Sequence, residues 1–438
     1  MNTSALFGRN HATLKMMFVG LLSLAMLIPL FMVQSIVQER QNLQVAAAKT
    51  IAGRWGGQQS VGGLVALTHS PVRYKKEKVN RAQMGWRGTV LSELSIDASL
   101  ITETRYLGIY EVPVYTARVI MEGTIDWQRL GRIQDQGDLL FWLPLSDVSG
   151  VREVSALHVD GLEIPAKPLA VHTDSMSGLQ FKVAAGDRPG TAATGKYRLE
   201  LLLAGSQSVM FLPLADTSGV KLDADWPDPE FIGQSLPVER SISDSDVQAT
   251  WRLLGVNRPY GDHWAVTDMP FQQLEAAGFG MRLETPVDGY QRSERSVKYG
   301  FLFISLTFFT LFLFEVMTGR PLHPVPYVLT GTALAVFYLV LLALSEYLPF
   351  SAAFAVAAGL LVGIVTPYMG AVLGNRRRGY LVGAMMSLTY SLLYVLVTAQ
   401  HAALLLGSLA LLAAIAVLMY LTRNVDWYDY GFTGSTIR

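Results

Sequence analysis

Ser149 and Ser218 sit in near-copies of one decapeptide, "WLPLSDVSGV" (residues 142–151) and "FLPLADTSGV" (residues 211–220), each with an aspartate two positions before the serine. A hydroxyl beside a carboxylate is raw material for a nucleophilic site, but acyl transfer also wants a histidine base. The seven histidines are His11, His69, His158, His172, His263, His323 and His401. The four between residues 37 and 298 stand in no catalytic motif. An architectural reading asks for less. In both copies an apolar run passes through Leu-Pro-Leu into Asp-x-Ser-Gly-Val, 69 positions apart from Leu143 to Leu212. Pro144 and Pro213 suit a strand end because they donate no ladder hydrogen bond, and Gly150 and Gly219 suit a turn with positive φ. The expectation is a duplicated strand-turn-strand unit in which Asp216 and Ser218 make turn hydrogen bonds. No catalytic residue is assigned.

Metal chemistry has two footholds. "HVD" (His158, Asp160) and "HTD" (His172, Asp174) offer ligand types, although alternate positions on a strand share a face whatever their chemistry. The run "LDADWPDPEF" gathers Asp223, Asp225, Asp228 and Glu230, oxygen donors that calcium accepts, in a spacing unlike an EF-hand loop. Turn and surface roles are expected for both, so no metal and no cofactor is assigned. "WGGQQSVGG" lacks the Lys-Ser/Thr ending and the preceding strand of a phosphate-cradling loop. Lys+Arg and Asp+Glu balance at 35 each, which leaves no basic field for nucleic acid. The chain has no cysteine, which excludes disulfides, thiolate metal sites and cysteine nucleophiles.

The elements that must position any such residues are dominated by lipid. Hydrophobic residues make up 51% of the 438, more than a soluble domain needs. Six stretches reach the roughly 20 apolar residues that a helical span requires: 16–36, 299–317, 327–344, 351–373, 380–398 and 402–421. The first follows Arg9 and Lys15 and has no small-x-small cleavage site, so it reads as an uncleaved anchor. Arg320, Arg376, Arg377, Arg378 and Arg423 flank the spans on one side, while "SEYLPF" and "AQH" on the other carry no Lys or Arg. The charge rule then places both termini in the cytoplasm and residues 37–298 in a periplasm-like space.

Within that exported part, "VQERQNLQVAAAKTIAGRW" is rich in helix formers and continues the first span as a stalk ended by the glycines of "WGGQQSVGG". Beyond it, runs such as "EVPVYTARVIMEG", "REVSALHVDG" and "KYRLELLLAG" alternate or are apolar between turn residues. "SDSDVQATWRLLGV" reads equally as helix or strand. The fold class expected is an α+β membrane protein. It has an anchor helix (1–36), a large periplasmic antiparallel β-sandwich-like domain with an internal repeat (37–298), a five-helix transmembrane bundle (299–421) and a cytoplasmic tail (422–438). Pro29 and Pro367 are expected to kink their helices.

Ionisable groups near the spans are few. Glu315 and Glu346 lie close to span ends, so a proton-driven pump is not supported, and Glu315 is within reach of Arg320 for a structural ion pair. Tyr290, Arg292, Arg295 and Lys298 precede the second span and suit contact with lipid phosphates. Coupling between domain and bundle is expected from Thr285 through Lys298 to Glu315 and His323.

The segment from "ETPVDGYQRSERSVKYGFLFISLTF" through "LFEVMTGRPLHPVPY" and "LALSEY" to "VLMYLTRNVDWY" resembles the CreD family of inner-membrane proteins. So do "RWGGQQSVGG", "RYLGIYEVPVYTARV" and "DWPDPEFIGQSLP" upstream, and the resemblance covers nearly the whole chain. The family's usual "LHPVQY" and "SEH" read "LHPVPY" and "SEY" here, so Pro326 and Tyr347 leave its amide and imidazole without counterparts. The resemblance implies a multi-pass protein of the Gram-negative inner membrane, tied to envelope integrity, colicin tolerance and a two-component regulon responsive to carbon source or β-lactam. It implies no catalytic site and no cofactor. The function expected is non-enzymatic, with the β domain binding a periplasmic protein, lipid or cell-wall partner. A transporter or lipid-handling bundle is the alternative, recognisable by a polar path or a lipid-sized groove, and a periplasmic hydrolase stands third.

Overall fold

A helix satisfies all its backbone polar groups internally, so lipid-crossing segments fold helically, whereas short alternating runs pair across a sheet. The computed structural model describes residues 11–72, 83–131, 139–169, 177–184, 193–283, 289–318, 322–399 and 403–423. It contains two compact units, one of Met1–Leu43 with Val287–Arg438, the other of Gln44–Pro286.

The helices among the described residues are α1 (His11–Ala25), α2 (Leu27–Trp55), α3 (Trp127–Gly131), α4 (Phe271–Ala276), α5 (Gly289–Thr318), α6 (Pro324–Ser345), α7 (Phe350–Val372), α8 (Arg376–Thr398) and α9 (Ala403–Thr422). Five stretches among the described residues are long and apolar enough to span a membrane: α1 with α2, most of α5, and α6, α7 and α8. The 20 residues of α9 carry no charge and extend about 30 Å at 1.5 Å per residue. Six spans therefore agree with the sequence. The kink expected at Pro29 surfaces as the break at Met26 between α1 and α2, because a proline ring crowds the carbonyl four residues back, here that of Ala25. Pro367 is accommodated inside α7. Where α7 turns into α8 the backbones nearly touch: a Cβ on Gly379 would lie 2.6 Å from the Gly370 Cα.

Among its described residues the second unit holds eighteen strands. In chain order they are β1 (Gln59–Gly62), β2 (Val65–Val72), β3 (Gln83–Leu107), β4 (Tyr110–Asp126), β5 (Leu139–Leu145) and β6 (Val151–Val154). Then come β7 (Leu157–Val159), β8 (Leu162–Ile164), β9 (Ala166–Pro168), β10 (Ser177–Val183), β11 (Thr194–Ser206) and β12 (Ser208–Leu212). The last are β13 (Ala215–Ala224), β14 (Pro229–Gly233), β15 (Glu239–Ile242), β16 (Val247–Leu254), β17 (His263–Ala265) and β18 (Phe279–Leu283). The long β3 joins two sheets: residues 83–90 pair with β2 in the first, residues 93–107 with β4 in the second. β1, β5, β10, β12 and β18 continue the first sheet, and β11, β13 and β16 the second. One core takes side chains from both, with Phe141, Phe181, Phe211 and Phe279 from the first sheet and Ile96, Val119, Leu199 and Trp251 from the second. The ambiguous "VQATWRLL" is β16, its burial alternating residue by residue. Period two decides for strand.

The repeat keeps its place but not its turn. Leu145 and Phe211 both face Val61 across β1, β5 antiparallel to it and β12 parallel. Each copy then leaves the first sheet for the second, through β6 or through β13. The first copy turns at Val148–Gly150, where Asp147 caps the Ser149 N–H. The second has no turn there: Ser218 and Gly219 lie inside β13, paired with Leu94 and Ser95 on one side and Leu253 and Arg252 on the other. Neither Gly150 nor Gly219 has positive φ. Gly150 is required by proximity, since a Cβ would sit 2.3 Å from the Ala204 carbonyl oxygen, while a Cβ on Gly219 would meet nothing within 4 Å.

Candidate functional site

The eight residues singled out in the sequence divide between the ends of α5. At its C-terminal end the Glu315 carboxylate, 1% exposed, receives Lys15 Nζ of α1 and, at 2.9 Å, the Tyr327 hydroxyl of α6. Lys15 also donates to the Leu322 carbonyl at 2.6 Å. Lys15, 300 positions away in the chain, is thus a partner of Glu315, and the expected Arg320 lies outside the described residues. A charge is tolerated in an apolar bundle when paired and hydrogen-bonded in this way. His323 is the N-cap of α6, its Nδ1 accepting from the Val325 N–H at 3.4 Å. Pro324 and Pro326 occupy the first turn, where a missing N–H costs no helical bond.

At the other end of α5, Glu346 lies 3.4 Å from Arg40 of α2 and accepts from the Tyr290 hydroxyl at 3.4 Å. Arg292 stacks over Phe350 at 5.7 Å, Lys298 pairs with Glu294 at 2.7 Å, and Gln41 donates to the same Glu294 at 3.1 Å. Arg295 acts on Glu294 through charge alone. From Tyr290 to Glu315 the helix rises about 38 Å, so the two nodes sit a bilayer thickness apart. Thr285 lies outside the described residues. Tyr347, beside the second node in sequence, is 78% exposed.

Between α7 and α8 runs an open groove. One part, about 950 Å³, is lined by Val362, Gly363, Thr366, Pro367, Gly370, Ala371, Asn375, Arg376, Tyr380 and Gly383, among others. The next, about 740 Å³, shares Val362 and Gly363 and continues along Ser351, Ala355, Gly359, Ser387, Tyr390 and Tyr394. Small residues recurring every four positions, Ala355, Gly359 and Gly363 on α7 and Gly383 and Ser387 on α8, leave the trough empty. The Ser387 hydroxyl donates back to the Gly383 carbonyl at 2.9 Å, which lowers its polarity toward the groove. An aromatic set, Phe337 with Phe354 at 5.5 Å and with Tyr390 at 4.6 Å, ties α6, α7 and α8 together.

The β unit has a cleft of about 560 Å³ between the Gln44–Ala52 part of α2 and residues that include Gln58, Glu111, Ser206, Gln207 and Arg282. Ser206 is 1% exposed, and its hydroxyl has no hydrogen-bond partner among the described residues. Gln207 bonds Gln58 at 2.8 Å from a left-handed backbone, φ 64°.

The serine and metal readings find other employment for their residues. The Ser149 hydroxyl donates to Asp147 at 2.6 Å, and Asp147 also receives the Gly57 N–H at 2.8 Å. Burial alone would raise the Asp147 carboxyl; the Ser149 hydroxyl and the Gly57 and Ser149 N–H groups outweigh it and hold the carboxyl below its ordinary value. Ser218 is buried in β13 without a partner for its hydroxyl among the described residues. Asp216 makes no turn bond: it pairs with Arg129 at 2.7 Å and Arg258 at 3.1 Å. His158 stands 3.6 Å from Glu163 on the β7–β8 hairpin, and Asp160 accepts the Lys196 N–H at 2.8 Å. His172 and Asp174 lie outside the described residues. In the acidic run, Asp223 pairs with Lys221, Asp225 accepts the Thr102 N–H and Glu230 pairs with Arg282. These carboxylates are committed separately.

The family model for the inner membrane protein CreD matches residues 11–428. The chain belongs to the CreD family. It is 29% identical over 418 residues to the inner membrane protein CreD of Escherichia coli (strain K12), covering 93% of this chain and 92% of that one. Family and apolar helices together make this CreD-family chain a multi-pass inner membrane protein. Its sequence concealed Lys15 and Tyr327 as partners of Glu315 and Arg40 as a partner of Glu346. One signal was present: Lys15 is the last charge before the first span and Glu315 the last in the second, at the same expected membrane end.

Proposed function

We propose that the chain is a non-enzymatic inner-membrane protein that supports cell-envelope integrity, with its exported β unit binding an envelope component. The carrying observation is the cleft around Ser206: polar and charged groups from α2, β4 and β18 line it beside a buried hydroxyl that lacks a partner among the described residues. Buried polar groups without partners are uncommon and attract ligand or water. The neighbourhoods of Ser149 and Ser218 support the non-enzymatic part, because the hydroxyl of the first is given to an aspartate and that of the second is sealed in a strand. Photo-crosslinking residues placed at Lys49 and Glu111 in cells test this, with Val256, 89% exposed and outside the lining of the cleft, as control. Capture of one envelope component from both cleft positions and not from Val256 is expected; equal capture from all three would refute the reading.

A second reading, lipid engagement by the bundle, is favoured by the α7–α8 groove. Its α7 wall runs from Ser351 to Ala371, about 30 Å of helix and hence the thickness of the hydrocarbon core. It opens along helices whose surroundings are lipid.

A further inference from the structure

We propose that the end of the α7–α8 groove holding Arg376 binds a phospholipid with an anionic headgroup. The proposal rests on the lipid reading of that groove and adds the headgroup class and its position. Three observations carry it. First, the occupant must be at home in a bilayer, because the walls are two membrane-spanning helices. Second, this part of the groove runs from Val362 to Asn375 on the α7 side and encloses about 950 Å³. Its helical part, Val362 to Ala371, makes about nine rises or about 14 Å, against about 15 Å for the hydrocarbon of one leaflet. Acyl chains reaching Gly363 therefore leave the phosphate level with Arg376.

Third, the charge at that level is unanswered. Arg376, Arg377 and Arg378 are consecutive at the start of α8, and Arg376, exposed in the lining of the groove, makes no ion pair among the described residues. A helix N-terminus adds to the positive potential. A phosphate meets the Arg376 guanidinium with complementary charge and through two parallel hydrogen bonds.

Small residues also line grooves that accept another helix. Charge argues against that occupant here. A second copy related by an axis normal to the membrane would bring its own three arginines to the same depth, and partner helices carry their basic flanks at that same end. An anionic lipid relieves the repulsion that a second helix would add.

The test uses the full-length chain in phosphatidylcholine vesicles carrying a trace of acyl-chain diazirine probe, either phosphatidylglycerol or phosphatidylcholine, with adducts mapped by mass spectrometry. The phosphatidylglycerol probe is expected to label the α7–α8 groove about fivefold more than the phosphatidylcholine probe, the discrimination that one basic residue supplies near a membrane surface. R376Q should erase most of that excess. G363L should remove groove labelling by both probes while leaving the fold intact, because a Cβ there meets nothing within 4 Å. Equal labelling by the two probes overturns the headgroup proposal and leaves the lipid reading standing. A groove shielded from both probes, in a chain that migrates as a dimer, overturns both in favour of helix docking. Labelling unchanged by G363L shows that the lipid sits elsewhere and overturns the proposal as well.

Discussion

Lys15 of α1 and Glu315 of α5, 300 positions apart, form an ion pair inside the helical bundle, and Glu315 is 1% exposed. The pair fastens the first span to the second, and the Tyr327 hydroxyl adds α6 to the same carboxylate. The energetic asymmetry of such pairs makes the contact testable. Removing one partner strands the other, whereas replacing both by apolar groups is often neutral.

E315Q should lower bundle stability by on the order of 3 kcal/mol. The double variant K15M/E315L should recover most of that loss. Thermal unfolding of the full-length chain in mild detergent, followed by size-exclusion, reads both. Equal damage in single and double variants would mean that the pair does not hold the helices together.

Two glycines at matching positions of the repeat should respond in opposite ways. G150A drives a Cβ against the Ala204 carbonyl, 2.3 Å away, and should cost at least ~2 kcal/mol. G219A enters open space in β13 at an ordinary strand φ and should be neutral or stabilising by up to about 1 kcal/mol. Urea unfolding monitored through the tryptophans of the β unit separates them.

Asp216 and Ser218 belong to the same motif and should also part company. D216A removes the carboxylate shared by Arg129 and Arg258, leaving them Asp262 alone. Arg258 has a side chain only 3% exposed, so a loss of roughly 2 kcal/mol is expected, reduced from the fully buried case because Asp216 is itself partly solvated. S218A deletes a buried hydroxyl that has no partner among the described residues and should be neutral or slightly stabilising. Loss of envelope function in a stably folded S218A chain would revive the hydrolase reading.

Asp147 predicts an acid dependence. Its carboxyl is held below the ordinary value in the folded state, so its contribution is present above the unfolded value, about 3.9, and is lost as pH falls through the lower folded value. D147N should therefore destabilise the β unit near neutral pH and flatten the decline between about pH 4 and the folded midpoint. Chemical denaturation across that range shows the change in slope.

Topology can be read with single cysteines, since the chain has none of its own. Y347C occupies an exposed position and should react with a membrane-impermeant maleimide on intact spheroplasts, while R377C should react only after permeabilisation. The opposite pattern would invert the orientation drawn from the basic loops.

How much was legible in the sequence follows from the range of the forces involved. Apolar run length alone determined the spans, because lipid imposes one requirement on each helix separately. Alternation determined the strands, and the Leu-Pro-Leu repeat located two exits from the first sheet on either side of β1. Local composition said nothing about which distant charge meets which. Lys15 meets Glu315, Arg40 meets Glu346 and Arg129 meets Asp216 only because helix packing and sheet register bring them together. The repeat shows the same limit: "DVSG" turns and "DTSG" stays extended, since β3 and β16 flank only the second. The α7–α8 groove likewise belongs to the tertiary structure, for small residues every four positions leave a trough only when no third helix fills it.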